Sequence, residues 1–486
     1  MRVLDGIRPE NVFRFFEDIC YIPHGSGNTG AIAEYCMKFA VERGLECIKD
    51  DYNNVIIKKP ASFGCDEAEP LLLQGHLDMV CEKNFDSDPK FDFSKDPLRL
   101  AVMDDYVYAK GTTLGGDDGI AIAYMLAILD DRSIKHPKLE CLFTADEETG
   151  MTGMKALDTM ELKARRMINL DTETEGEILV SSAGGRKVKC HLPIDHCKKT
   201  GLSYDIIICG LLGGHSGSEI DKYRGNANLL LGRLLHYLDG KISYDLYYLK
   251  GGLQVNAIPR EAKVSILIDA RDATRLEDLI TDFELTIINE YRNIENNITI
   301  YSEAGSEITE NVLTPEAKEK IIFLLMTIPD GITKMCPEAE GIVQTSSNAG
   351  IMRLRDDYFS LIVSIRSSIS SEKEALSAKL KYLTETMGGE YIIESDYPAW
   401  EYRERSKLRD LVVETFKELF DKAPKVTSIH AGLECGIIFD KIKGIDIVSL
   451  GPDIEDIHTP KEKLSIPSTE RTWKLLLRIM EKCADE

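Results

Sequence analysis

The sequence predicts an α/β fold: a discontinuous domain with a mixed, mainly parallel central sheet flanked by helices, carrying an inserted α+β domain. Three observations predict it. Short apolar runs that stop abruptly at polar residues (LLLQGH at 71–76, KLECLFT at 138–144, RMINL at 166–170) alternate with helical patterns, as buried strands of an open α/β sheet do. From about Lys187 the strands change: SYDIIICGL, EAKVSILIDA and YFSLIVSIRSS alternate like sheets with one wet face, with amphipathic helices expected at 219–239 and 371–387. Around Trp400 long amphipathic helices return, at 405–421 and 469–483. The expected domains are therefore 1–187 with 400–486, and an insertion at 188–399.

A chain of 486 residues is long for one core. Its composition, 43% hydrophobic and 29% charged, is that of a globular protein, and no apolar run reaches the roughly 20 residues of a membrane span. The first twenty residues form an acid-containing amphipathic pattern without the apolar centre and cleavage site of a signal peptide, which predicts a cytoplasmic protein. A formal net charge of −23 repels nucleic-acid phosphates. Twelve scattered cysteines without a C-x-x-C pair read as reduced, mostly buried thiols.

Taken in order, helical patterns at 13–19 and 31–43 flank the turn-rich PHGSGNTG (23–30), which reads as a connector. Strands are expected at 54–58 and 70–74. The apolar run through Leu73 ends at Gly75 and presents His76 and Asp78, which share a strand face and so can serve one site, as cation ligand and as its orienting partner. A plain polar strand end is the alternative. Next comes VYAKGTTLGGDDG (107–119), ahead of the apolar helix IAIAYMLAIL. Close glycines before a helix can cradle a phosphate, but this loop lacks the P-loop Lys-Ser/Thr, and the pair Asp117 and Asp118 would repel phosphate. A cation suits the two aspartates better, with helix capping as the plain alternative. The strand at 138–144 ends in Asp146, Glu147 and Glu148, three carboxylates that repel one another unless solvated or neutralised. Asp171 ends the RMINL strand. In an open α/β sheet such strand ends converge on one crevice. His458 follows a strand at 445–450, while His215, in the glycine turn GGHSG, and Arg366, near a strand end, sit in the insertion at positions that are usually structural.

His76, Asp117, Glu148, Asp171 and His458 together offer two imidazoles and three carboxylates, a set suited to two borderline divalent cations such as Zn²⁺ if one carboxylate bridges. Such a pair, about 3.5 to 4 Å apart, can activate a shared water and polarise a scissile carbonyl, with a further carboxylate moving the proton. Structural Ca²⁺ fits poorly, because imidazoles are not hard-cation ligands.

The segments GHLDMV, GTTLGGDDGIAIAY, FTADEETGMTG, INLDTE, GGHSG and DIHTPKEKLSI, in this order across essentially the whole chain, resemble the co-catalytic dizinc peptidases that include aminoacylases, succinyl-diaminopimelate desuccinylase, peptidase T and carnosinases. The length, the enlarged insertion and HAGLECGI are similar to the Xaa-His dipeptidase (aminoacylhistidine dipeptidase) branch. The resemblance implies that Asp117 bridges two cations, most readily Zn with Co or Mn as substitutes. It gives His76 and Asp171 to one cation and Glu148 and His458 to the other. Glu147 would be the general base and acid, Asp78 the residue that orients His76, and the peptide after Asp117 cis. His215 would reach the scissile carbonyl oxygen, commonly from a second copy of the chain, Arg366 would pair with the substrate carboxylate, and Asn256 and HAGLECGI would line the pocket. Asp118 stands where relatives of this branch often carry Asn.

The resulting expectation is a cytoplasmic, metal-dependent dipeptidase. It would dimerise through a lid formed by the insertion and act on small peptides with a free N-terminus, Xaa-His (β-alanyl-His-like) dipeptides above all. The alternatives are a broad di/tripeptidase or N-acyl amino-acid amidohydrolase on the same centre. A silent binding protein on this fold would have lost a ligand or Glu147, and all are present.

Overall fold

The computed structural model describes residues 2–337 and 341–486. They form two compact units: the first takes the chain up to Ser181 with Tyr402–Ser428 and Leu433–Glu486, the second Ser182–Glu401 with Ile429–Gly432. The boundaries thus fall a few residues from those expected at 187/188 and 399/400. Ser182 and Trp400 exchange backbone hydrogen bonds within the second unit, and the Ala183 N–H donates to the carbonyls of Ile429 and Ala431, which draws that short stretch out of the first unit.

The first unit is organised on an eight-stranded sheet in the order Glu46–Lys49, Val55–Lys59, Leu139–Thr144, Leu71–His76, Arg166–Asn169, Asp446–Ser449, Glu177–Ser182 and Lys425–Ile429. The four strands from Leu139–Thr144 to Asp446–Ser449 run parallel, and the pairs at the Glu46–Lys49 edge are antiparallel. Three of the parallel strands are buried at every residue, which is why their apolar residues do not alternate with exposed polar ones. Parallel pairing also brings their C-terminal ends to one edge, where His76, the Asp146–Glu148 turn and Asp171 emerge.

The helix Gly116–Asp130 is buried from Gly116 to Leu129, so it is apolar on all sides. Its Tyr124 donates to the Thr469 carbonyl at 2.9 Å and stacks on Trp473 of the C-terminal helix Ile466–Ala484. A small antiparallel sheet (Ile454–Glu455, Lys463–Ser465, Tyr106–Ala109, Leu100–Met103) fastens the late segment around His458 beside the strand that leads into Gly116–Asp130.

The second unit is α+β. Its antiparallel sheet runs Thr299–Leu313, His196–Cys209, Ala262–Ile268, Tyr244–Gly251, Val343–Leu354, Tyr358–Ser367, Gly184–Pro193 and Glu390–Tyr397. The helices Ala227–Leu238, Ala273–Tyr291, Pro315–Thr327 and Ser370–Thr386 bury their apolar faces in this unit's own core. The helix expected at 219–239 starts only at Ala227, where the Asn226 side chain caps it by accepting from the Asn228 N–H; residues Ile220–Lys222 form a separate 3₁₀ turn. Among the described residues no helix is long and apolar enough to cross a membrane.

Candidate metal centre

Each side chain of the centre is placed by the end of an element. His76 closes the strand Leu71–His76 and is 1% exposed. Asp117 stands at the start of Gly116–Asp130, followed by a cis peptide to Asp118. Glu147 and Glu148 lie in the turn after Leu139–Thr144, Asp171 just beyond Arg166–Asn169, and His458 in the loop after Ile454–Glu455, with a left-handed φ of 58°.

These side chains meet in two overlapping sets. Potential ligand atoms of His76, Asp117 and Asp171 lie within 4.8 Å of one another, and so do those of Asp117, Glu148 and His458. Asp117 belongs to both. Its Oδ1 is 3.0 Å from His76 Nε2 and its Oδ2 3.2 Å from His458 Nε2. His76 Nε2 is also 3.6 Å from Asp171 Oδ1, and His458 Nε2 is 2.8 Å from Glu148 Oε1. A third set, His76, Glu147 and Glu148, puts Glu147 at the same place.

Among the described residues the ion-pair partners of Asp117, Glu148 and Asp171 are these two histidines, not Lys or Arg. Burial, joined by the charges of Asp117 and Glu148, pushes Asp171 up to about 6 against the pull of His76. Burial also raises Glu147, helped by Asp171, Glu434 and Glu148 and opposed by His76. Hydrogen bonds to Asp117 and Glu148 carry His458 up to about 10. Crowded carboxylates whose charge only imidazoles offset, with nitrogen and oxygen donors converging, fit divalent cations by the chemistry of the donor set.

Asp78 has more than the one partner expected for it. His76 Nδ1 is 2.9 Å from the Asp78 carbonyl oxygen and 3.5 Å from its carboxylate. The carboxylate accepts the Glu147 N–H at 2.9 Å, the Glu148 N–H at 3.3 Å and the Ser26 hydroxyl at 2.8 Å. The Gly27 N–H in turn donates to Asp146 at 2.6 Å. The PHGSGNTG loop is therefore no plain connector: it braces the turn that carries Glu147. Asp78→Ala should lower both cation affinity and turnover about 10- to 100-fold. A kcat equal to wild type at saturating cation would remove the hold on the Glu147 turn and leave only the hold on His76.

Two further buried acids escaped the sequence reading. Glu462 accepts four backbone N–H groups of Leu114–Asp117. Glu434, at the start of the helix Glu434–Lys441, is 0% exposed and accepts from Gln74 Nε2 and Thr144 Oγ1, both at 2.6 Å. Gln74 receives Asn169 Nδ2 at 2.7 Å, and Asn169 receives the Ser449 hydroxyl, so a polar belt crosses the four parallel strands just before the ends that carry His76 and Asp171. Burial, with Asp171 and Asp78, pushes Glu434 up to about 8. HAGLECGI, expected to line a substrate pocket, is thus divided, with Glu434 in the core of the first unit and His430–Gly432 in the second.

In the second unit His215 lies on the short strand Gly214–His215, paired with Ala257–Ile258. Its Nδ1 accepts the N–H groups of Gly217 and Ser218, which leaves the proton on Nε2. Asn256 is exposed in the adjoining turn, its carbonyl accepting the Ser216 N–H. Arg366 is 8% exposed and donates to the Tyr397 hydroxyl at 3.1 Å, and a side chain at Gly217 would touch both Arg366 and His215.

Residues 72–482 match the sequence model of peptidase family M20/M25/M40. The chain belongs to this family. As an M20-family peptidase it is a hydrolytic enzyme that binds divalent cations. It is 36% identical to the cytosol non-specific dipeptidase of Escherichia coli (strain K12) over 484 residues, 99% of each chain. The crystal structure of an aminoacylhistidine dipeptidase from Vibrio alginolyticus is similar at a TM-score of 0.90 and 34% identity, over 99% of this chain and 98% of that one. The aminopeptidase PepT from Bacillus cereus, at 18% identity and a TM-score of 0.57 over 98% of this chain and 99% of that one, shares the fold.

Proposed function

We propose that this M20-family peptidase hydrolyses dipeptides with a free N-terminus, Xaa-His dipeptides among them, in the cytoplasm. The observation that carries the reading is the pair of ligand sets that share Asp117. His76 and Asp171 would hold one cation, Glu148 and His458 the other, zinc in both, with cobalt or manganese able to substitute. When bound, such cations supply Lewis acidity towards a carbonyl oxygen and acidify water.

Glu147 takes the proton from the attacking water and returns it to the leaving amine. Asp78 keeps Glu147 in place by holding its backbone N–H, at 2.9 Å. His215, with its proton on Nε2, donates to the oxygen on which charge develops, Arg366 pairs with the substrate carboxylate, and Asn256 lines the pocket. The second unit would act as the lid and the contact of a homodimer.

A second reading, a broad dipeptidase, has the support of the name of the Escherichia coli relative. One panel separates the readings: β-alanyl-His, Leu-Gly, a tripeptide and an N-acetyl amino acid. The expected result is turnover of the dipeptides alone, with β-alanyl-His at least matching Leu-Gly. Faster Leu-Gly favours the broad reading, and hydrolysis of the N-acetyl amino acid alone overturns both.

A further inference from the structure

The glycine-rich loop before Gly116–Asp130 is an anion cradle, and the anion in it belongs to the chain itself. Glu462 Oε2 accepts the N–H groups of Leu114 at 2.7 Å and Gly115 at 3.0 Å, and Oε1 those of Gly116 at 2.7 Å and Asp117 at 3.2 Å. The residue is 2% exposed. Backbone N–H groups converging at a helix start form a ready anion site, and here they give one carboxylate four donors, two to each oxygen. The shape of the cradle needs its glycines: Gly115 has a left-handed φ of 67°, and a Cβ on Gly116 would come 3.2 Å from Glu462 Oε1.

Two consequences follow for the cation centre. The Asp117 N–H is one of the four donors, so Glu462 fixes the backbone of the residue whose carboxylate lies between both imidazoles. Glu462 also sits four residues after His458 and directly before the strand Lys463–Ser465, which pairs with Tyr106–Ala109. One carboxylate therefore ties the His458 loop to the Asp117 turn.

We propose that Glu462 is a positioning residue of the cation centre, an internal anion whose seat in the Leu114–Asp117 amide cradle sets the distance between Asp117 and His458. The proposal rests on the reading of Asp117 as the shared ligand. It requires no contact between Glu462 and the cations, and it differs from a general structural role in one respect: the cradle, once emptied, should accept another small carboxylate.

The test uses full-length Glu462→Ala and Glu462→Gln, with cation affinity measured by competition against a chromophoric chelator and folding checked by circular dichroism. Both variants are expected to lose about 10- to 100-fold in affinity. Formate should restore affinity and turnover in Glu462→Ala but not in Glu462→Gln, whose amide still fills the cradle and sets N–H against N–H; wild type should not respond to formate. A folded Glu462→Ala with wild-type affinity, or one with weakened affinity that formate leaves unchanged, overturns the proposal. Should Glu462→Ala not fold, wild-type affinity in a folded Glu462→Gln overturns it and weakened affinity supports it. Because the readout is cation affinity, a wild-type chain that bound cations but cleaved no dipeptide would defeat the functional reading and leave this test intact.

Discussion

Replacing Glu147 with alanine is expected to cut dipeptide turnover about 10²- to 10⁴-fold, the range that one positioned acid–base group supplies, while the chain keeps its cations. Glu147 sits beside His76 and Glu148, but the two ligand sets that share Asp117 are complete without it. Its backbone is held by Asp78, so truncating its side chain leaves the turn in place. Steady-state kinetics on a dipeptide, alongside elemental analysis of the gel-filtered variant, read both halves of the prediction. Near-wild-type turnover would mean that another group moves the proton. Loss of cation would mean that Glu147 is a ligand.

Asp117→Ala should have the opposite signature, losing both cations and bringing turnover down to that of the chelator-treated wild type. The reason is geometric. Asp117 presents one oxygen to His76 and the other to His458, so each set loses a member in a single substitution. His458→Ala touches one set only and should leave one cation bound. The comparison needs only cation equivalents per chain in the two variants. An Asp117→Ala chain that retained both would show that its carboxylate is not shared.

The parts of the centre that were legible in the sequence are those whose signal is local. His76 and Asp171 follow short, mostly apolar runs without a wet face, because their strands are buried on both faces. Parallel pairing then takes those ends to one edge without help from any other residue. Glu462 was not legible, because an acid between two lysines in KEK looks like solvated charge; its partners lie about 345 residues earlier in the chain. The close glycines before the helix suggest a phosphate cradle, which the paired aspartates argue against; a carboxylate supplied by the far end of the chain has no mark in the local sequence.

Ser26 and Gly27 show the same limit. A Ser-Gly-Asn turn has one composition whether it faces water or braces Asp78 and Asp146. Glu434 was masked by its setting in a segment that resembled a pocket lining, whereas its hydrogen bonds run to Gln74 and Thr144 in the core. In the second unit the helix Pro315–Thr327 went unread despite a readable start, Thr314 capping the Ala317 N–H with proline in the first turn. The short stretch Ile429–Gly432 went to the wrong domain because only its pairing with Ala183 assigns it, and no local pattern carries that pairing.

The central claim is that two cations, sharing Asp117, are needed for dipeptide cleavage. Its most direct measurement is the titration of cation-free protein with Zn²⁺ while hydrolysis of β-alanyl-His or Leu-Gly is followed. The account predicts activity that rises to a plateau at two equivalents per chain. Full activity at one equivalent, or activity that persists in the cation-free protein, would contradict it.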